Sequence, residues 1–418
     1  MTGARRTAGP RLLIAGYYGY GNIWDEAILQ SLLRDLGREL PDAEFLVLYG
    51  GEGEGSISAA NHAPSFGAAG GKTGGPGVRY LPRLQPSAIL AAMRASDLLV
   101  LGGGTLIQDV TSVRSLIYYL GLIWMAKRNG LPVAFYGGGI GPLTTALGRQ
   151  LAGRVLPSVD LLALRDRRSI ETARGLGVAA DRLLLTADPA FSVPAANGGN
   201  GMAAARSASA VAGELAAAGV PAAAHGSVMC LALRPPLSVA DKASIVSAVE
   251  TASAAESLFP LLVPFHPERD LVLLEEIGAM LQVRHGILRG TSDPALLRHV
   301  VGHARLMVAM RLHGVIFAVA EGVPCVAMAY DPKVDALADD VPALRYARYP
   351  GVDAAQLARE IREAAQGGAA LRAELERCAS ELGQRAAANA RAVKGLLSRH
   401  APEATPHTGS EANTDVRP

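Results

Sequence analysis

Cysteine is scarce: three residues in 418, at Cys230, Cys325 and Cys378. The number is odd and the three lie far apart, so neither a disulfide framework nor a C-x-x-C zinc site is indicated. Net charge is nearly absent too. Forty basic residues oppose thirty-eight acidic ones, a formal charge of +2, which gives no reason to expect a nucleic-acid partner. Long apolar runs are also missing. The most apolar helix candidate, Leu116 to Ala126, covers eleven residues before Lys127-Arg128, and a membrane span needs about 20. Asn129 to Gly148 is uncharged for longer, but Pro132, Gly137-Gly138-Gly139 and Pro142 interrupt it. Near the start, Leu12 to Ala15 is too short for a signal h-region and reads as a strand. These absences lead to the expectation of a soluble cytoplasmic protein. What the chain does have is hydrophobic residues, half of the total against 19% charged. That excludes global disorder, and at about 150 residues per domain the length suits two or three.

The first half alternates short apolar runs with amphipathic stretches. Strands are expected at Leu12–Ala15, Glu44–Leu48, Leu98–Leu101, Val133–Tyr136, Leu161–Leu164 and Leu183–Leu185. Helices are expected between them at Asp25–Leu40, Pro86–Arg94, Val113–Asn129, Thr144–Leu156 and Arg168–Leu176. Buried strands alternating with helices predict an α/β fold with a parallel sheet covered on both faces. The alternation restarts at Ser227 and runs to about Ser398, so a second α/β domain of similar build is expected, with a cleft between the two. Gly50 to Gly77, with ten glycines, reads as a mobile surface insertion. Residues 194–226, rich in Ala, Gly and Ser, read as the interdomain connection, with a small helix around Ala204–Ala218. The polar tail from Ala401 reads as disordered.

Ligands in such sheets sit at the carboxyl ends of strands, and several of these ends carry unusual residues. Gly16-Tyr17-Tyr18-Gly19-Tyr20-Gly21-Asn22-Ile23-Trp24-Asp25-Glu26 links the first strand to the first helix. Its glycines let backbone amides approach a ligand, and Asp25 is a plausible N-cap, although the spacing is a poor dinucleotide fingerprint. Gly102-Gly103-Gly104-Thr105-Leu106-Ile107-Gln108-Asp109 has more glycine than a simple turn needs, and Gly137-Gly138-Gly139-Ile140-Gly141-Pro142 repeats the device one strand over. Thr105, Gln108 and Asp109 offer polar groups there. In Leu164-Arg165-Asp166-Arg167-Arg168-Ser169, Arg165 directly follows an apolar strand and suits a carboxylate or phosphate. Asp166 reads as the cap of the next helix. In Met310-Arg311-Leu312-His313-Gly314, an extended backbone would point Arg311 and His313 the same way, which makes His313 a general acid/base candidate. Lys333, in Tyr330-Asp331-Pro332-Lys333-Val334 at another strand end, would add a point charge for phosphate. Three converging cations imply an anionic substrate. His266, before Pro267-Glu268, is a weaker candidate.

These segments, together with Ala187-Asp188-Pro189-Ala190-Phe191, occur in an order that resembles the polysaccharide pyruvyl transferase family, above all its CsaB type. The resemblance runs from about Arg11 to Ala390. One departure is Asn22-Ile23-Trp24 before Asp25, where small polar residues are expected.

The resemblance implies a glycosyltransferase-B-like fold: two Rossmann-like domains with a central cleft. Residues 1–193 would form the acceptor side, with 50–77 inserted. Residues 194–226 would be the linker, 227–400 the donor side and 401–418 the tail. It implies transfer of pyruvate from phosphoenolpyruvate to the 4- and 6-hydroxyls of a sugar, N-acetylmannosamine in the family, on a lipid-linked precursor of secondary cell-wall polysaccharide. The product's carboxylate serves S-layer anchoring. Arg165, Arg311, His313 and Lys333, with Gly314, would form the donor site: Arg165 on the carboxylate, Arg311 and Lys333 on the phosphate, His313 moving the proton. Gly19, Asn22, Asp25, Gly103, Gly104, Thr105, Gln108, Gly138 and Gly139 would line the acceptor side. Neither metal nor cofactor is implied beyond phosphoenolpyruvate as co-substrate. A peripheral contact with the inner membrane face and a homo-oligomer are both compatible with this reading. The alternatives are a sugar-nucleotide glycosyltransferase or epimerase of the same fold, and a non-catalytic binding module of an envelope-assembly complex.

Overall fold

Runs such as Leu12-Leu13-Ile14 and Val228 to Ala232 are buried completely, which fits strands packed on both faces rather than half-solvated ones. The computed structural model describes residues 9–50, 77–193, 202–291, 293–329 and 332–400. The expectations at 51–76 and 401–418 lie outside them.

The first half runs β1 (Arg11–Ala15), α1 (Ile23–Glu39), β2 (Glu44–Tyr49), β3 (Val78–Pro82), α2 (Pro86–Ala95), β4 (Leu98–Gly102), α3 (Val113–Arg128), β5 (Val133–Gly138), α4 (Ala146–Val155), β6 (Leu161–Leu164), α5 (Arg167–Gly175) and β7 (Leu183–Leu185). The second half runs α6 (Met202–Ala217), β8 (Val228–Ala232), α7 (Val239–Glu256), β9 (Phe259–Leu262), α8 (Pro267–Met280), β10 (Gly286–Ile287), α9 (Pro294–Gly302), β11 (Leu306–Ala309), α10 (Leu312–Ala320), β12 (Cys325–Ala329), α11 (Pro332–Asp340), β13 (Arg345–Arg348), α12 (Ala354–Gln366) and α13 (Gly368–His400).

The strands form two sheets, ordered β3-β2-β1-β4-β5-β6-β7 and β10-β9-β8-β11-β12-β13. All pairings are parallel. This is the doubly wound α/β architecture expected, present twice. Each sheet reverses its order beside its first strand, between β1 and β4 and between β8 and β11. Those reversals open the crevices where such folds bind ligands.

In the first domain α2, α3, α4 and α5 cover one sheet face. The other face is covered by α1 together with Ala390, Val393 and Leu396 from the end of α13. The last helix therefore crosses back from the second domain. The largest core cluster is shared: Ile23, Trp24, Ala27 and Ile28 of α1 pack with Leu312, Ile316 and Phe317 of α10. Buried Arg298 donates to Ala190 O (3.2 Å) and Val193 O (3.0 Å), which ties the connection after β7 to the second domain.

Several local expectations need correction. Asn22, not Asp25, caps α1; its side chain accepts from Trp24 N at 3.3 Å. The backbone is not extended through His313. Arg311 is the N-cap of α10 and His313 lies in its first turn, so strand alternation does not aim the two side chains. Lys333 lies in the first turn of α11, a helix the short Pro332–Asp340 segment did not announce. The edge strand β3 also went unanticipated, because Arg79 interrupts its short run of Val78 and Tyr80.

Candidate active site

The first crevice is built from backbone. Gly103 N donates to Tyr136 O (2.9 Å), Gly139 N to Gly104 O (2.7 Å) and Arg165 N to Gly138 O (3.0 Å). The ends of β4, β5 and β6 are thus tied to one another. Gly103 takes φ +54, and a Cβ there would sit 2.2 Å from Ile28 Cγ2, so only glycine fits between this loop and α1. At Gly139 the absent Cβ leaves room for other groups: it would come within 3.1 Å of Thr105 Oγ1 and 3.4 Å of Arg165 Nε.

Arg165 is buried at the end of β6. Its Nη1 donates to Asp188 Oδ2 at 2.9 Å and its Nη2 to Thr105 Oγ1 at 3.1 Å. Asp166, as the sequence suggests, caps α5 by accepting from Ser169 N at 2.7 Å. Burial pushes the Asp188 carboxyl up, and the Arg165 charge opposes that rise. Beside this pair lies a cavity of about 470 Å³, lined by Thr105, Gly139, Arg165, Arg168, Ser169 and, from the second domain, Lys333. A smaller cavity behind it reaches Asp188, Leu312 and Ile316. Arg165 and Lys333 are therefore brought together from different domains.

His313 occupies the junction itself. Its ring stacks on Trp24 of the first domain, with centroids 3.8 Å apart and planes 10° apart. Burial holds the imidazole well below its ordinary pKa, and the positive charges of Arg165, Arg311 and Lys333 add to the depression. The ring is neutral at physiological pH.

Arg311 does not line the larger cavity. It pairs with Asp270, a fully buried carboxylate that also accepts from Phe265 N (3.1 Å) and His266 N (2.8 Å). Arg311 Nε and His266 Nδ1 are both buried without a hydrogen-bond partner. Burial pushes the His266 pKa down, and Arg269 and Arg311 lower it further. This cluster faces the first glycine loop: a Cβ on Gly21 would lie 3.7 Å from Glu268 Oε1. That loop is held from behind. Gly19 N donates to Glu26 Oε1 at 2.7 Å. Buried Arg83 donates to Gly16 O at 3.1 Å and lies over the rings of Tyr17, Tyr20, Tyr118 and Tyr119 at 4.8–5.7 Å.

Asp25 lies against the second glycine loop, 3.7 Å from the Cβ position of Gly104. Burial pushes its pKa up to about 8, opposed by a hydrogen bond from the Asn22 side chain and reinforced by Glu26 and Asp188. A carboxyl protonated at neutral pH at the second glycine loop and a neutral imidazole at the domain junction give the protein one proton donor and one proton acceptor.

Two of the sequence candidates turn away from the site. Gln108 Oε1 accepts from Thr111 N at 3.0 Å, so this side chain shapes its own loop. Gly314 faces the second sheet, where a Cβ would meet Met307 Cε at 2.7 Å and Ala309 Cβ at 3.0 Å; its place is one of packing rather than donor contact. Asp109 accepts from the backbone and hydroxyls of Thr144 and Thr145, which holds its carboxyl well below the usual range and bridges two loops. Sequence reasoning missed Asp188 and Asp270 as arginine partners. Asp188 could have been found, since it follows a strand and precedes a proline. Asp270 could not, because it sits within an ordinary amphipathic helix. Among the described residues, no three His, Cys, Asp or Glu side chains come together in a way that could hold a metal ion.

Solved structures with the same architecture include Anabaena Alr3699/HepE in complex with UDP and glucose, at 14% identity and a TM-score of 0.59, covering 93% of this chain and 100% of that one. The UDP-GlcNAc 2-epimerase from Neisseria meningitidis bound to UDP-GlcNAc matches at 10% identity and 0.59, over 93% and 99%. A glycosyltransferase from Rickettsia africae ESF-5 matches at 10% and 0.59, over 94% and 100%. At these identities the likeness shows the fold, two parallel-sheet α/β domains of the glycosyltransferase-B type. No curated protein matches the sequence. The family model for polysaccharide pyruvyl transferase matches residues 22–332, a span that includes the glycine loops after β4 and β5, Arg165, Asp188, Arg311 and His313. With most of the chain inside that match, the protein belongs to the polysaccharide pyruvyl transferase family, a family of transferases.

Proposed function

We propose that the protein transfers pyruvate from phosphoenolpyruvate to a sugar diol, forming a cyclic ketal. The observation that carries this reading is the convergence of Arg165, Arg311 and Lys333 on the neutral His313 at the domain junction. Phosphoenolpyruvate brings a carboxylate and a phosphate, and cationic side chains drawn from both domains suit such an anion. Arg165 and Lys333 line the larger cavity and are assigned to the donor anions. Arg311 is assigned to the far anion through its unpartnered Nε.

In the reaction a proton adds to the vinyl carbon, making the methyl group, and the first sugar hydroxyl bonds to the adjacent carbon. The C–O bond to phosphate then breaks. The second hydroxyl closes the ring, and the two hydroxyl protons balance the one added to carbon and the one leaving with phosphate. Protonated Asp25 is assigned as the acid toward the glycine loops. Neutral His313 takes the hydroxyl proton. The finer reading is a cytoplasmic enzyme of the CsaB type. Its acceptor would be an N-acetylmannosamine-containing, lipid-linked precursor of secondary cell-wall polysaccharide for S-layer anchoring.

The competing reading is a UDP-sugar enzyme, favoured by the ligands of the structural neighbours. Calorimetry with EDTA present separates the two. Phosphoenolpyruvate should bind, and Arg165→Ala and Lys333→Met should each weaken binding by about tenfold or more, as expected for a lost charged hydrogen bond of roughly 1.5–3 kcal/mol. Binding of UDP-sugar with no binding of phosphoenolpyruvate would overturn the proposal.

A further inference from the structure

The charge of this protein is spread unevenly. The chain carries a formal charge of +2, yet α2, α3 and α4 contain no Asp or Glu at all while they hold Arg94, Arg114, Lys127, Arg128, Arg149 and Arg154. Lys127 pairs with Asp160. Arg94, Arg114, Arg128, Arg149 and Arg154 are exposed.

The same three helices and the loops that lead into them carry five of the eight exposed large apolar side chains among the described residues. Leu84, Val110, Ile117, Trp124 and Leu147 all fall here, whereas the second domain shows Val239 and Val272. The segments are neighbours in space. Tyr118 of α3 donates to Arg83 O at 2.8 Å, beside Leu84. A Cβ on Gly148 of α4 would lie 3.2 Å from Leu116 of α3.

Helix α3 is apolar on two sides. Its inner side buries Leu116, Tyr119, Leu120, Ile123 and Ala126. Ile117 and Trp124, two turns apart, share the outer side with Arg114 and Arg128. Trp124 is 55% exposed, and the Arg128 guanidinium sits 5.1 Å over its ring. Single exposed apolar residues need no explanation. An apolar outer side that carries tryptophan and is flanked only by cations is the pattern of a surface lying in a membrane interface.

We infer that the outer face of the α2–α3–α4 layer docks on an anionic lipid bilayer. A second copy of the chain fits less well. A two-fold interface would press this cationic face against itself, and these helices offer no carboxylate to pair with it. Among the described residues no helix is long and apolar enough to cross a membrane, so the contact is with the bilayer surface. The docking face adjoins the crevice. Leu84, Val110 and Leu147 follow the carboxyl ends of β3, β4 and β5, the rim that also carries the acceptor-side glycine loops. A bilayer held there would present a lipid-linked sugar to the rim of the crevice, where Arg149 of α4 lines the same cavity as Arg165 and Lys333. This deepens the proposed function and rests on it for the identity of the acceptor, but the docking itself is read without turnover.

The test is co-sedimentation with vesicles of phosphatidylcholine, with and without phosphatidylglycerol, alongside tryptophan emission. The chain has two tryptophans, and Trp24 is already buried at 1% exposure, so a blue shift reports on Trp124. The protein should sediment with phosphatidylglycerol vesicles, shift its emission, and release in high salt. Trp124→Ala should abolish the shift. Arg114→Gln and Arg128→Gln should each cut partitioning about fivefold, the effect of one basic residue near an anionic surface. Turnover on a water-soluble acceptor should stay unchanged in all three. Failure to bind the anionic vesicles would overturn the inference. So would a concentration-dependent dimer in light scattering that Trp124→Ala dissociates. A protein that binds vesicles but transfers no pyruvate contradicts the proposed function alone; one that transfers to a soluble acceptor but ignores vesicles contradicts the docking alone.

Discussion

His313 is neutral because it is buried and stands among Arg165, Arg311 and Lys333. A bound phosphoenolpyruvate reverses the sign of the local field, since its phosphate is close to a dianion above about pH 6. The imidazole pKa must then rise, so donor binding takes up a proton. The group with the higher pKa in the complex favours binding at low pH, and affinity falls as pH rises through that value. Calorimetry in two buffers of different ionisation heat should give a net uptake well short of one proton near neutrality, since His313 stays largely neutral to accept the hydroxyl proton, and His313→Gln should remove it. If His313 moves a proton in the transition state, the same variant should lose roughly 10²–10⁴-fold in turnover while it keeps much of its donor affinity. Asp25 makes a separate statement about stability. Its pKa is pushed up from 3.8 to about 8, so between these values the folded state keeps a proton that the unfolded state releases. Stability therefore falls as pH rises through that window. Asp25→Asn keeps the shape without the titration. Its melting temperature should exceed that of the wild type at pH 8, and the difference should shrink toward pH 4. A lower melting temperature at pH 8 would show that the carboxyl is not held protonated by burial.

Helix α10 carries His313 in its first turn and lies on β11 through Gly314. A Cβ at Gly314 would meet Ala309 Cβ at 3.0 Å, so Gly314→Ala should push the helix outward. We expect a loss of about 1–3 kcal/mol in chemical denaturation, as for overpacked cores, together with reduced turnover because the His313–Trp24 stack is displaced. A variant of full stability would remove the packing role. At this scale the sequence was most legible where strands are fully buried: Leu12–Ala15, Leu98–Leu101 and Leu161–Leu164 announce themselves as apolar runs with glycine or arginine directly after them. It was least legible at short or edge elements. Val78–Pro82 and Arg345–Arg348 each carry arginine within the strand, and Gly286–Ile287 has two residues. The candidate site was legible as residue types at strand ends, which is how Arg165, Arg311, His313 and Lys333 were found. Their partners were not, because the contacts of Asp188, Asp270 and Trp24 depend on which loops the two sheets bring face to face.

The two domains meet through the site rather than beside it. Trp24 and His313 stack across the junction, the shared core continues from α1 into α10, and Lys333 of α11 closes the cavity that Arg165 opens. Arg168 on α5 faces Asp335 at 3.7 Å and Asp339 at 3.5 Å on α11. These are half-exposed pairs that contribute little to affinity between domains but set their register. A donor anion bound between Arg165 and Lys333 would add a charged link across the same junction. The central claim is that this junction transfers pyruvate from phosphoenolpyruvate to a sugar, and the most direct measurement is of the product. The protein is incubated with phosphoenolpyruvate and a water-soluble N-acetylmannosamine glycoside, phosphate release is followed, and the glycoside is weighed by mass spectrometry. The account expects phosphate release that depends on the acceptor, matched one to one by an acid-labile ketal carrying a new carboxylate. Consumption of UDP-sugar, with neither phosphate release nor ketal from phosphoenolpyruvate across a panel of sugar diols, would contradict it.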